Sequence, residues 1–428
     1  MHSPQTRSRC LPPRLAWLWV ACTAAVCAGC ENRVGDGPPA SFDDAAVGDA
    51  GVPDGSTGDA GAELDLGAPL DAGHDQGVTS PDNGVAPDDV APDALPLADG
   101  ATGVTLAASH ELLYRVEVPR GEHVGFRFDF APTTAAVTMT VERYDGVGPA
   151  YLGLTNGGRG IRTLAVFEPQ GARTYWVRLA SNTALTGTLH VTRTPFADGP
   201  ECLGDCDRLL QLPLPIDPAV DGYDWTPGTV MRYQFGRRDL LMLVRFAGQS
   251  MAAAGYAPFI PEDFSQWDGE TPGTDTGSLR HASHQRGKDV DISLYGLDGE
   301  APWRTYCQLM YVDGRECVAG TVTNYDGYAN ARMFGAFYQS GRVTRAFLDR
   351  ELIPPTRAGA DDAVLDGTVD ADLRPLYSDG VHLQHWPNHD NHIHVRVSED
   401  AYPVSAALQK DGARRPRFVV SVGEFEAP

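Results

Sequence analysis

The feature that most limits how this chain can fold is a long acidic segment of low complexity near its N-terminus. Residues 31–104 consist mainly of Asp, Gly, Ala and Pro, and they carry 16 acidic residues against one arginine. A segment with so few large apolar side chains cannot bury enough surface to offset the entropy lost on ordering. We therefore predict a disordered linker over residues 30–104, with a reach of roughly 50 Å. A spacer that only improves solubility fits this composition equally well.

The first 29 residues have the pattern of an export signal. Arg7, Arg9 and Arg14 precede a short apolar run that ends in small residues, which is typical of a secretory signal and too short for a membrane-spanning helix. The run closes with "VCAGC", which resembles the lipobox of bacterial lipoproteins and implies lipidation of Cys30. Cleavage near Gly29 followed by full secretion is the alternative. We expect a cell-envelope protein, anchored to a membrane by lipid and facing the periplasm or the cell exterior.

Charge and cysteine content narrow the classes of function. The formal net charge is −23, and an acidic chain without a basic patch is a poor candidate for binding nucleic acid. Four cysteines lie outside the signal region, and an even number in an exported chain suggests disulfides. Three pairings are possible, and neither close pair has the spacing of a zinc ribbon. Sequence proximity favours Cys202–Cys206 and Cys307–Cys317.

Two blocks with different patterns follow the linker. Residues 105–198 contain short runs of alternating polar and apolar residues, such as "HVGFRFDF" and "TYWVRLA", which predict an all-β sandwich of antiparallel strands. This pattern resembles the accessory pre-peptidase sandwich domains found beside bacterial secreted peptidases. Residues 199–428 mix helical and strand patterns, so we predict an α+β domain there, with a small antiparallel sheet.

The helices and strands of the second block can be located from periodicity. The run "RRDLLMLVRFAGQSMAAAGY" places Leu240, Val244, Ala247 and Met251 on one stripe, which predicts a helix packed on the core. The run "NARMFGAFYQSGRVTRAFL" predicts a second helical stretch, and "DVDISLY" and "HIHVRV" predict strands. The "GQSMA" within the first helix is similar to a serine nucleophile elbow but lacks the second glycine, which disfavours a serine hydrolase.

Histidines are concentrated in two short windows. Seven of the twelve lie within residues 281–284 and 382–394. On the two predicted strands, Asp289 and Asp291 share one face, and so do His392 and His394, because side chains alternate along a strand. Two histidines and one aspartate from separate segments make an open zinc site whose fourth position is left for water. Between the first window and its strand, Gly287 permits a tight turn.

Taken together, the two windows resemble a known family. The sequence "SHQRGKDVDI", followed about a hundred residues later by "HDNHIHVRV", resembles the penicillin-insensitive murein endopeptidases. These belong to the wider group of D-alanyl-D-alanine and lysostaphin-type zinc peptidases, whose signature is a histidine, a glycine three residues on, an aspartate seven residues on, and a distant HxH. The resemblance covers roughly residues 220–400, and it departs from the family in having no histidine between 285 and 381.

Each site residue is carried over from the family by its position in the motif. His392 is implied as the general base, His389 is implied to line the site, and His281 matches a further histidine that could be a metal ligand or lie behind the ligands. Asp289 could orient a ligand from behind, or be a solvated strand residue. The resemblance implies Zn²⁺ as the cofactor, with His284, Asp291 and His394 as its ligands.

The function implied by the resemblance is that of a zinc-dependent endopeptidase of the cell wall. It would hydrolyse the peptide cross-links of bacterial peptidoglycan, of the D-alanyl–diaminopimelyl type, with peptidoglycan peptide stems and the membrane as its partners. A D-alanyl carboxypeptidase is one alternative within the same chemistry. A non-catalytic envelope binding protein stabilised by zinc is the other, because a closed site would also explain a cluster of histidines.

Overall fold

The first half of the described chain forms two sheets that face a common apolar core. The computed structural model describes residues 91, 93–145, 149–155, 160–226, 228–281 and 283–399. The predicted signal peptide, Cys30 and most of the predicted linker lie outside these residues. The strands are β1 (Leu95–Pro96), β2 (Gly100–Leu106), β3 (His110–Val118), β4 (Glu122–Ala131), β5 (Val137–Tyr144), β6 (Pro149–Thr155), β7 (Ile161–Phe167), β8 (Arg173–Ser181) and β9 (Leu185–Pro195).

One sheet has the strand order β1-β3-β8-β5-β6 and the other β2-β9-β4-β7. All neighbouring strands are antiparallel except β1 and β3. Alternate residues of both sheets, such as Val116 and Val177 in the first and Phe126 and Leu189 in the second, enter one buried core. This is the packing of a β-sandwich, and the prediction of a β-rich chain is confirmed.

The ordered chain begins earlier than the predicted linker boundary at residue 104. Strand β1 and most of strand β2 lie within the segment predicted to be disordered, and Leu97 and Val104 are buried. Strand β2 pairs along its whole length with β9. Its own sequence, "GATGVTL", is poor in large apolar residues. Pairing with a neighbouring strand supplies the stability that this segment's composition does not predict.

The second half of the described chain contains a third sheet, a two-stranded sheet and four α-helices. The elements are β10 (Leu209–Gln211), α1 (Pro218–Asp221), β11 (Phe235–Arg237), α2 (Arg238–Ala253), β12 (Pro261–Glu262), β13 (Asp289–Ser293), α3 (Gly327–Tyr338), β14 (Val343–Leu348), α4 (Ile353–Leu365), β15 (Leu383–His385) and β16 (His392–Val397). The third sheet has the order β12-β13-β16-β14-β15, in which only β14 and β15 are parallel, and β10 pairs with β11.

Helix α2 and strands β13 and β16 occur where periodicity predicts them. The apolar stripe of α2 is buried in the same core as Ile292 of β13 and Ile393 of β16, and burying each Leu, Ile, Val or Met side chain among them contributes about 1.5–3 kcal/mol. The second predicted helical stretch is only half correct. Helix α3 ends at Tyr338, Gly341 adopts a left-handed conformation with φ of 63°, and the chain continues as strand β14.

Both disulfides favoured by sequence proximity are present. Cys202 pairs with Cys206, and Cys307 pairs with Cys317, with Cα–Cα distances of 5.9 and 5.6 Å.

None of the helices in the described part of the chain combines the length and the apolar character that spanning a membrane requires.

The two halves exchange core residues at their junction. Leu214, from the second half, is buried in the core of the sandwich, whereas Phe167 and Phe196 belong to the core of the second half. The backbone N–H of Leu214 donates to the carbonyl of Ala165 at 2.8 Å. All described residues fall within one compact unit, so the sandwich and the α+β part stabilise each other.

His123 is a buried titratable group at this junction, and it makes stability depend on pH. Its Nε2 donates to the Gln211 carbonyl at 2.7 Å. Burial, together with the charge of Arg208, lowers the pKa of His123 from 6.5 to about 4. Since the folded state favours the neutral ring, this contribution is complete above pH 6.5 and is lost as the pH falls toward 4.

Between pH 7.5 and pH 5, the native chain is expected to lose about 2 kcal/mol more unfolding free energy than a His123→Gln variant, which retains a donor for Gln211 but does not titrate. Urea unfolding of both proteins at the two pH values measures the difference. An identical response to pH in the two proteins would contradict the assignment.

Candidate metal centre

The centre is built on the pairing of β13 with β16. In this antiparallel pair Asp291 lies opposite His394, and Ser293 lies opposite His392. The alternate residues Ile292 and Ile393 point into the core. The polar face of each strand, predicted from alternation, therefore meets the polar face of the other.

A tight turn before β13 brings His284 to the same place. His284 is itself in the left-handed region with φ of 67°, and Arg286 and Gly287 follow with φ of 56° and 65°. A Cβ at residue 287 would lie 2.6 Å from the backbone nitrogen of Arg237, which donates to the Gly287 carbonyl at 2.8 Å. The turn thus requires glycine at this position. A left-handed histidine is strained, and such strain is characteristic of functional sites.

Three electronegative atoms converge at the centre. His284 Nε2 lies 3.1 Å from His394 Nδ1, and Asp291 Oδ1 lies 3.4 Å and 3.1 Å from those two nitrogens. Ligands bound tetrahedrally to zinc at 2.0–2.1 Å are about 3.3 Å apart. All three residues are buried, with exposed fractions of 0% for His284, 2% for Asp291 and 4% for His394. These residues could hold a metal ion.

In His284 and His394, the ring nitrogen that faces away from the centre already makes a hydrogen bond. His284 Nδ1 donates to the backbone carbonyl of Phe264 at 3.1 Å, and His394 Nε2 donates to Asp289 at 2.8 Å. In the neutral rings the inner nitrogens therefore carry lone pairs. Among the described residues, Asp291 Oδ1 has no hydrogen-bond partner of acceptable geometry. Three lone-pair atoms facing one another could hold a cation between them.

The pKa shifts follow from this crowding. Burial alone would lower the pKa of His394, but the hydrogen bond to Asp289 and the contact with Asp291 raise it to about 9. Burial would raise the pKa of Asp291, but the facing rings of His284 and His392 hold it well below its ordinary value.

Asp289 acts from behind the centre. It is 1% exposed, and its Oδ1 accepts from His394 Nε2 at 2.8 Å and from Arg396 Nε at 2.5 Å. The interpretation of Asp289 as a solvated strand residue is therefore wrong, because the side chain is enclosed. A carboxylate that fixes the orientation of a ligand histidine is a common feature of metal sites.

His281 occupies the rim of the cluster. Its Nε2 donates to Asp263 at 2.7 Å, and its Nδ1 lies 3.7 Å from Asp291 Oδ2. Ligand atoms of His281, His284 and Asp291 lie within 4.8 Å of one another, so these residues form an overlapping triad that could also hold a metal. The triad with His394 has shorter separations, 3.1–3.4 Å.

His392 and His389 lie beside the three central atoms. His392 Nε2 is 3.7 Å from Asp291 Oδ2, and burial lowers the pKa of His392. The His389 ring centroid is 4.6 Å from that of His392. Burial, together with the neighbouring His392 and His394, lowers the pKa of His389 to about 3. Both rings are therefore neutral near pH 7.

All seven predicted site residues meet in this one cluster: His281, His284, Asp289, Asp291, His389, His392 and His394. The side chains that hold them and were not predicted from the sequence include Asp263, which is hydrogen-bonded to His281; Asn391, which is hydrogen-bonded to His392; and Trp303, which stacks on His392. Of these, only Asn391 had a local signal, since an Asn side chain directly before a histidine can accept from its ring.

No protein-family model and no curated protein matches the chain. Three of the solved structures that it is similar to are all much shorter than the chain. The surface-associated copper-binding protein CorA of Methylomicrobium album BG8 is 10% identical, with a TM-score of 0.20, over 23% of this chain and 96% of that chain. The pre-peptidase C-terminal domain of collagenase from Bacillus anthracis is 13% identical, with a TM-score of 0.19, over 23% and 94%. The periplasmic lysozyme inhibitor PliG of Aeromonas hydrophila is 11% identical, with a TM-score of 0.19, over 24% and 96%. TM-scores this low assign neither a fold nor a function.

Asp289→Ala is expected to weaken Zn²⁺ binding by about 10- to 100-fold, because His394 loses the acceptor that turns its Nδ1 inward. Asp289→Asn retains an acceptor oxygen without the charge, so its affinity for Zn²⁺ should lie between those of the parent and Asp289→Ala. Competition with a chromophoric chelator at fixed pH measures the affinity, and Asp361→Ala, which removes an exposed carboxylate on α4, is the matched control. If Asp289→Ala binds Zn²⁺ as tightly as the parent does, Asp289 does not support a metal ligand.

Proposed function

We propose that this chain is an exported zinc peptidase that hydrolyses the peptide cross-links of bacterial peptidoglycan. The observation that carries the proposal is the convergence of His284 Nε2, His394 Nδ1 and Asp291 Oδ1 at 3.1–3.4 Å from one another. Two neutral imidazoles and one carboxylate are ligands that zinc accepts, and three protein ligands leave a fourth position open for chemistry. The buried Asp291 Oδ1, which has no hydrogen-bond partner among the described residues, fits the same interpretation.

Zinc held by His284, Asp291 and His394 would supply Lewis acidity to a scissile carbonyl and to water near neutral pH. The protein supplies the orientation of the ligands. Phe264 and Asp289 hold the outer nitrogens of His284 and His394, so both rings present a lone pair to the same point. Little reorganisation is then needed on binding, which favours affinity.

His392 is the residue best placed to move a proton. Its Nδ1 donates to Asn391 at 2.6 Å, which leaves Nε2 as an acceptor 3.7 Å from Asp291 Oδ2. Because burial lowers its pKa, the ring is neutral near pH 7 and can accept a proton from the attacking water. The same nitrogen then returns this proton to the leaving amine. His389, neutral and in ring contact with His392, lines the site.

The choice of peptidoglycan as substrate is supported by the resemblance of the two motifs to murein endopeptidases and by the export signal. The D-alanyl–diaminopimelyl bond is the cross-link that this resemblance implies. A D-alanyl carboxypeptidase would use the same centre on a chain end, and the two activities differ only in which products are released.

The position of His281 favours the non-catalytic alternative, a binding protein stabilised by zinc. With His281 as a fourth ligand, the centre would be closed, as in structural zinc sites. Its membership of a triad with His284 and Asp291, within 4.8 Å, makes this arrangement possible. In the open site His281→Ala keeps all three ligands and retains zinc, whereas in the closed site it loses one of four ligands and binds zinc more weakly.

The decisive experiment uses the chain without its signal peptide, loaded with zinc and incubated with purified cell-wall sacculi. Mass spectrometry of the released muropeptides should show new peptide termini at cross-links, and no release by chelator-treated protein. Loss of a terminal D-alanine alone would indicate the carboxypeptidase. No new termini from fully loaded protein would overturn the peptidase and favour the binding protein.

Two variants in the same assay distinguish the proposed zinc ligand, His394, from the proposed general base, His392. His394→Ala removes one of three ligands and should lose zinc and activity together. His392→Ala should keep zinc and lose about 10²- to 10⁴-fold in turnover, the usual contribution of a positioned base. Zinc content per chain and hydrolysis rate are measured on both proteins. If His392→Ala loses zinc while His394→Ala retains it, the two roles are reversed.

We also propose that lipid on Cys30 anchors the protein to a membrane and that the acidic segment after it lets the folded part reach the wall. Cys30→Ser should then move the protein from the membrane fraction to the soluble fraction of the cells that produce it. Unchanged fractionation, or a mature N-terminus at another residue, would contradict the anchor.

A further inference from the structure

The ring of His392 is fixed at one edge by its neighbour in sequence. His392 Nδ1 donates to the side-chain oxygen of Asn391 at 2.6 Å. The outer torsion of a histidine side chain is broad and almost two-fold, so a half-turn of the ring would exchange Nδ1 with Cδ2 and Nε2 with Cε1. The contact with Asn391 selects the orientation in which Nε2 faces Asp291 Oδ2, at 3.7 Å.

The plane of the same ring is fixed by a tryptophan. Trp303 stacks on His392 with ring centroids 5.2 Å apart and planes only 10° from parallel. His392 retains 13% of its side-chain exposure, so the indole also covers part of a ring that would otherwise meet water. Offset-stacked aromatic pairs contribute attraction beyond the area they bury, which resists tilting of the imidazole.

The segment that carries Trp303 is fastened on both sides to the elements that hold the centre. Ser293, which lies opposite His392 in the strand pair, donates through its hydroxyl to the Ala301 carbonyl at 2.6 Å. The backbone N–H of Tyr306 donates to the Asp390 carbonyl at 3.1 Å. The indole is therefore placed by the same two segments that place His392 itself.

We propose that Trp303 and Asn391 are positioning residues that hold His392 with its Nε2 toward the metal centre. This inference rests on the proposed function, in which His392 moves the proton. Misplacement of a reacting group by about 1 Å costs on the order of 10²-fold in rate. Loss of either contact should therefore lower turnover and leave substrate binding and zinc binding nearly unchanged.

The first test compares Trp303→Leu with Trp303→Phe. The leucine removes the flat surface and should lower kcat by about 10- to 100-fold, with KM within about threefold and zinc content unchanged. The phenylalanine keeps a flat ring and should restore most of the activity. Tyr151→Leu makes the same kind of exchange at an exposed aromatic residue of the sandwich, and it should match the parent. Equal kcat in the parent and in zinc-loaded Trp303→Leu would overturn the role of Trp303.

A second test determines which ring nitrogen of His392 carries the proton, and it does not depend on hydrolysis. In protein labelled with ¹⁵N-histidine, long-range proton–nitrogen correlation should show His392 with its proton on Nδ1, the signal being identified by its absence in His392→Ala. Asn391→Ala should abolish this preference, and Asn391→Asp, which retains an acceptor oxygen, should preserve it. An unchanged tautomer in Asn391→Ala would overturn the role of Asn391. If the parent hydrolyses no cross-link, the proposed function fails, but the tautomer still tests this inference.

Discussion

The pairing of Asp291 with His394 across β13 and β16 is the constraint on which the rest of the centre depends. Because side chains alternate along a strand, a slip of one residue would turn the polar face of one strand into the core. Ile292 and Ile393, fully buried on the opposite face, oppose such a slip. The apolar core therefore sets the register, and the register sets the distances between the atoms that could bind metal. Core packing and site geometry are consequences of one alignment.

That alignment brings together groups that repel one another. A carboxylate oxygen and two imidazole lone pairs, buried within 3.4 Å of each other, are costly unless a cation or a proton lies between them. The surrounding residues maintain this arrangement: five histidines each donate one N–H to an oxygen, so their other nitrogens remain acceptors. The histidine–oxygen pairs are His281 with Asp263, His284 with Phe264, His389 with Pro387, His392 with Asn391 and His394 with Asp289. A merely structural core has no need of so many acceptors, and this makes a cation site the simplest account.

Those parts of the fold and the site that follow from local patterns could be predicted from the sequence. Alternation along "DVDISLY" and "HIHVRV" predicts both strands and their polar faces, and the spacing from His284 to Asp291 predicts the turn at Gly287. Loop contacts could not be predicted, because Asp263 and Trp303 reach the cluster only through tertiary structure. The helix predicted beyond Tyr338 was wrong because Gly341, in a left-handed conformation, ends the helical pattern despite the apolar residues that follow. The composition also led to a wrong position for the end of the linker, because strand β2 is stabilised by its pairing with β9.

The sandwich is connected to the centre through contacts that a separable accessory domain would not have. The guanidinium of Arg127, on β4, lies 4.1 Å from the ring centroid of Trp267. Trp267 belongs to the loop that begins near Phe264, whose carbonyl fixes His284, and Arg286 in the His284 turn donates to the Gly269 carbonyl of the same loop at 2.7 Å. Leu214 is buried in the sandwich core as well. The sandwich therefore supports the loop behind a proposed ligand. Under the proposed function, the acidic segment would carry the sandwich and the candidate metal centre to the wall together.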